Sequence, residues 1–111
     1  MKNKGKAMKS RIATVDIDFL ENETLSCEER MVFIALRSFM ERQEDRIGTL
    51  EATMDMISRR AGMSRARATR TINKLIENGL VTRQRRGLTL PNIYTVTYKT
   101  EERKRRIENE E

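Results

Sequence analysis

The sequence has no histidine, a single cysteine and few aromatic residues, and each shortage removes a class of function. Without histidine, the Ser–His and Cys–His pairs that activate many nucleophiles cannot be assembled. Zinc fingers and ribbons need about four Cys, His or carboxylate ligands, so neither a metal nor another cofactor is expected. Cys27 cannot form a disulfide within the chain, which fits a reducing, cytoplasmic setting. An aromatic content of 5% offers few stacking platforms for single-stranded RNA. The longest apolar run, Met31 to Leu36, is far too short to span a bilayer. The basic start is not followed by the apolar stretch of a secretory signal. The phosphate-binding loop motif of nucleotide hydrolases is absent, and no acid–acid or lysine pair is picked out. The expectation is a protein that catalyses nothing.

What the sequence does contain is charge, unevenly placed. The 111 residues carry 23 lysines and arginines against 17 acids, a formal charge of +6. Residues 1–11 hold Lys2, Lys4, Lys6, Lys9 and Arg11 and no acid. Residues 12–29 hold Asp16, Asp18, Glu21, Glu23, Glu28 and Glu29 and no base. Residues 59–87 hold nine bases and one acid, Glu77. A basic surplus of this kind suits a polyanion or an acidic membrane surface.

The pattern of apolar residues divides the chain further. Residues 1–11 are basic and aperiodic and read as a disordered arm. Residues 12–19 alternate apolar and polar, which predicts a short extended segment. Ser26 with Glu29 is a capping-box pair, so a first helix runs from Cys27 to about Glu41. Val32, Ala35, Leu36, Phe39 and Met40 form its core stripe. Met31 and Ile34 lie off that stripe, so a second face needs cover from the 12–19 segment or from a partner chain. Residues 41–48 read as a polar loop. Thr53 caps a short second helix, Met54 to Ala61, with Met54, Ile57 and Ala61 at helical spacing. Gly62 suits the left-handed stop, and Ser64 caps a third helix from Arg65 to about Asn78. Ala68, Ile72, Leu75 and Ile76 face inward, and Gly79 ends the helix. The period then changes to that of strands, Leu80–Arg86 and Ile93–Tyr98, joined by a turn-rich tip. Tyr94, Val96 and Tyr98 share one face of this hairpin. Residues 99–111 read as a charged tail or frayed helix, leaving one domain over residues 12–98.

Helix, three-residue turn, helix and hairpin form a constellation with a known use. A turn of this length sets two helices at a steep angle so that the second projects outward. In DNA-binding proteins the second helix enters the major groove, and its N-terminal residues meet base edges. Here its outer face carries Arg67, Arg70, Asn73 and Lys74, with Arg65 and Thr69 at its flanks. Arginine bonds guanine through two donors, and asparagine does the same for adenine. Ser64 sits at the helix N-terminus, where free N–H groups favour a phosphate. Arg83, Arg85 and Arg86 place further charge on the hairpin.

The order "short helix, AGMS, basic helix, ENGLV" and the hairpin tip GLTLPNIYTV resemble the winged helix-turn-helix superfamily over residues 24–98. The likeness runs toward small phage and plasmid replication initiators and bacterial regulators. It implies an α+β, mainly α fold of three helices plus a C-terminal hairpin wing. It also implies double-stranded DNA binding by the third helix and the wing, often as a homodimer. Those roles fall on Ser64, Arg65, Arg67, Thr69, Arg70, Asn73, Lys74, Arg83, Arg85 and Arg86. The expected function is sequence-specific DNA binding in transcriptional regulation. The alternatives are a replication-origin binder and a protein-interaction module, though so many arginines are unusual in a dry protein interface.

Plainer readings apply to other features. The methionines fill core gaps. Cys27 is a small surface thiol before it is a redox sensor, although helix N-termini do favour thiolates. The acidic run lacks the spacing of a calcium loop and reads as solvated.

Overall fold

Side-chain caps fix where the three longer helices begin. A computed structural model of the chain describes residues 12–43, 47–87 and 89–97. It contains α1 (Ile17–Leu20), α2 (Cys27–Arg37), β1 (Ile47–Ala52), α3 (Met54–Ala61), α4 (Arg65–Glu77), β2 (Val81–Gln84) and β3 (Asn92–Thr97). The basic arm expected at 1–11, the tail expected at 99–111 and Tyr98 lie outside the described residues.

At α2 the capping box forms in full. The Glu29 N–H donates to Ser26 Oγ at 3.1 Å, and the Ser26 N–H donates to Glu29 Oε1 at 2.8 Å. The helix ends at Arg37, one turn before the expected Glu41. Gln43 explains the early stop: its Nε2 donates to the carbonyls of Arg37 (2.6 Å) and Met40 (3.0 Å). These bonds satisfy orphan carbonyls that a longer helix would have used internally.

The extended segment expected over residues 12–19 is corrected. Residues 12–16 have no regular structure, and residues 17–20 form the single turn of α1. The turn rotates Phe19 inward, where it is 1% exposed and stacks on Phe33 with ring centroids 4.3 Å apart. Ile17, its neighbour in the alternating pattern, is left exposed. Upstream, the buried Arg37 side chain holds the segment in place. Its Nε donates to the Thr14 carbonyl at 2.7 Å and its Nη2 to the Gln43 carbonyl at 2.6 Å. Residues 12–20 thus cover a second face of α2 at Phe33. Met31 remains 45% exposed beside Ile12 and Ala13.

The strand β1 has no counterpart in the expected loop at 41–48. It pairs antiparallel with β3, from Ile47 opposite Thr97 to Ala52 opposite Asn92. β3 also pairs with β2, giving the order β1-β3-β2. The fold therefore adds a one-turn helix and a third strand to the three helices and hairpin read from the sequence. Leu50, Ala52, Val81, Tyr94 and Val96 are the buried residues of the sheet. Against them pack Val32, Leu36, Ile57, Ile72 and Leu75 from the three longer helices, all fully buried. β1 runs close to the turn that follows α2, where a Cβ added at Gly48 would lie 2.6 Å from Met40 Cε.

Candidate nucleic-acid interface

The turn between α3 and α4 is built from local rules. Thr53 Oγ1 caps α3 by accepting from the Met56 N–H. At its other end Gly62 takes φ 74°, the left-handed region that side chains disfavour. The Gly62 and Met63 N–H groups then donate to the Arg59 and Ser58 carbonyls, at 3.3 and 3.1 Å. This paired closure is the Schellman motif. One residue later Ser64 Oγ accepts from the Arg67 N–H at 3.2 Å and opens α4. The α4 helix closes as α3 does: the Gly79 and Leu80 N–H groups donate to the Ile76 and Leu75 carbonyls, both at 3.0 Å.

Burial then fixes which face of α4 meets solvent. Ala68, Thr71, Ile72 and Leu75 are buried, and the Thr71 hydroxyl donates back to the Arg67 carbonyl at 2.8 Å. Arg65, Ala66, Arg67, Arg70, Asn73 and Lys74 are exposed, and Thr69 is half-buried on the flank. A residue at position 70 lies between Ala66 and Asn73 on the face opposite Ile72 and Leu75. Arg70, Lys74 and Arg85 have no hydrogen-bond or ionic partner among the described residues.

The other basic side chains are engaged. Arg65 Nη1 lies 3.2 Å from Asp55 Oδ1 on α3, and Arg67 Nε lies 2.7 Å from Glu28 Oε2 on α2. Arg83 Nη2 donates to Asn73 Oδ1 at 3.3 Å, which ties β2 to the recognition face. Arg86 Nε donates to the Pro91 carbonyl at 3.0 Å, and its Nη2 lies 3.3 Å from Glu51 Oε2 on β1. Arg86 is therefore held between the hairpin loop and β1, whereas Arg85 next to it is exposed.

Sequence reasoning did not single out Arg59 and Arg60. Both are exposed on the last turn of α3. The Arg60 guanidinium sits 4.0 Å from the Phe39 ring centroid and donates to Ser38 Oγ at 3.0 Å. The charge count over residues 59–87 already included them, and their helix alone made them inconspicuous. The acids Glu28 and Asp55 gave no local signal, because their arginine partners come from another helix. Among the described residues no cluster of His, Cys, Asp and Glu could hold a metal ion. None of the described helices is long and apolar enough to cross a membrane.

A model of the MarR family matches residues 34–88, from the middle of α2 to the hairpin. The chain has the winged helix-turn-helix fold. The wing is the β2–β3 hairpin, and β1 is the third strand on which it rests. Two solved structures are similar along nearly their whole length. "N-Terminal domain of DNA binding protein" has a TM-score of 0.60 at 20% identity and covers 96% of this chain and 91% of that one. "Structure of Rep-DNA complex" has a TM-score of 0.57 at 17% identity and covers 97% and 95%. At these identities the likeness is one of winged-helix fold. No curated protein matches the sequence.

Proposed function

We propose that this winged helix binds double-stranded DNA sequence-specifically and acts as a transcriptional regulator. In this reading α4 lies in the major groove and the wing lies against the flanking backbone. The observation that carries it is Arg70: an exposed, unpartnered guanidinium in the middle of the outer face of a capped helix. Arg70 reads a guanine through two donors. Asn73 can pair with adenine only if it turns its carbonyl oxygen from Arg83 to the base, because both amide atoms are needed. Ser64, Arg65, Arg67, Thr69 and Lys74 border the groove, and Arg83, Arg85 and Arg86 form the basic side of the wing. Phosphate contacts place the protein and base contacts choose the sequence. The fold relatives named for DNA binding and for a Rep–DNA complex support the same partner.

A homodimer completes the proposal. Met31 and Ile34 line a groove with Ile12, Ala13, Ala35 and Ser38 on the outer side of α2. A second copy covering it would present two copies of α4 to a palindromic site. Sedimentation at several concentrations tests this; a concentration-independent monomer ends that part of the reading.

Selection of bound fragments from the source genome tests the function. Enrichment of one short motif at promoters is the expected result. Recovery of random fragments only would refute sequence-specific binding. A second reading, binding at a replication origin, is favoured by the near full-length match to a Rep–DNA complex. Enrichment at an origin would select it.

A further inference from the structure

Among the described residues, the two carboxylates that pair with the recognition helix both sit at its N-terminal end. Glu28 reaches Arg67 from the first turn of α2, and Asp55 reaches Arg65 from the first turn of α3. All four side chains are substantially exposed, so these pairs add little to stability. Their location is the informative part. The first turn of a recognition helix, with its free N–H groups and two arginines, is a general anion site. Each carboxylate engages a guanidinium that a backbone phosphate could also engage.

From this placement we infer that Glu28 and Asp55 act as an electrostatic brake on sequence-independent DNA affinity. The inference rests on the reading of α4 as a DNA-binding helix. An arginine that moves from a carboxylate to a phosphate exchanges one ion pair for a similar one. The abandoned carboxylate is then left close to the polyanion. Arg65 and Arg67 therefore yield little net affinity for an arbitrary backbone. Arg70, which has no such partner, keeps its full contribution at base edges. Residence on DNA thus depends more on sequence than the count of nine bases in this region suggests.

Glu28→Gln and Asp55→Asn test the brake, with a scrambled duplex as the probe. Glu29 keeps the α2 capping box in the first variant, and thermal melting confirms that both are folded. Each variant should steepen the log–log salt dependence by about 0.9 for its freed arginine. Between 50 and 200 mM salt this is an additional loss of affinity of about 3.5-fold. At the low-salt end binding should tighten by on the order of tenfold, taking the contact as worthless near 1 M. Glu21→Gln is the control. It removes the same charge from an exposed residue that pairs with no arginine among the described residues. Adding Arg67→Gln to Glu28→Gln should abolish the gain. The inference is overturned if Glu21→Gln tightens binding as much, or if the gain survives loss of Arg67. If neither the wild-type chain nor any variant binds duplex at low salt, the DNA reading itself fails, and the brake fails with it.

Discussion

Arg85 and Arg86 are adjacent bases on the wing, yet they should behave as different kinds of residue. The Arg86 side chain is 26% exposed and ties the hairpin loop to β1. Truncating it to alanine removes the hydrogen bond to the Pro91 carbonyl and the contact with Glu51 on β1. A net hydrogen bond contributes about 1 kcal/mol, and a partly exposed ion pair about 0.2–1 kcal/mol. Arg86→Ala should therefore cost about 1–2 kcal/mol. For a domain of this size that is a drop in Tm of roughly 5–10 °C. Arg86→Lys keeps the charge but not the fork that serves both partners, so it should melt close to Arg86→Ala. Arg85→Ala removes an exposed side chain, and its stability should stay within about 0.5 kcal/mol of wild type. Its effect should be on DNA: weaker binding to all sequences alike, with the salt slope shallower by about one unit. Calorimetry and anisotropy on the same three variants separate these roles. If Arg86→Ala melts like wild type and flattens the salt slope as Arg85→Ala does, Arg86 is a phosphate contact and the bracing argument is wrong.

Other perturbations probe the recognition face and the frame beneath it. Arg70→Ala should cost about 1–3 kcal/mol at a selected site and relax the choice of one base; equal weakening on a scrambled duplex would make Arg70 a backbone contact. Phe19→Ala removes a ring stacked on Phe33, and chemical denaturation should show a loss of about 3–5 kcal/mol; an unchanged midpoint would mean that α1 does not contribute to the core. Gly62→Ala meets no steric neighbour but imposes the left-handed conformation on a side chain. Thermal melting should report about 1–2 kcal/mol of destabilisation, and an unchanged Tm would refute the strain argument.

The helix-turn-helix was legible because its instructions are local. Thr53, Gly62, Ser64 and Gly79 act within five residues of where they stand, and α3 matches its expected bounds. The strand β1 was not legible. Only Leu50 and Ala52 of Ile47–Ala52 are buried, and the residues that hold the strand lie on β3, far along the chain. Phe33 was not singled out, because the partner that stacks on it, Phe19, comes from another element. The alternation over residues 12–19 misled for the same reason, since α1 answers to one aromatic contact and not to a sheet. At the site, the types and positions of the basic residues could be read directly. Which of them are engaged, and by which acid, could not, because Glu28, Asp55 and Glu51 approach from other elements.

The order β1-β3-β2 has a consequence for how the molecule comes into being. Among the described elements the central strand is the last to be made. During synthesis the helices and both outer strands leave the ribosome before β3, and neither outer strand has its pairing partner until then. β1 can pair only after a loop of some forty residues has closed. A nascent chain stopped before Asn92 would carry the basic recognition helix without the wing that orients it on a duplex. Its sheet residues Leu50, Ala52 and Val81 would lack the strand that covers them. Completion of β3 thus joins closure of the sheet to the first moment at which α4 and the wing stand together.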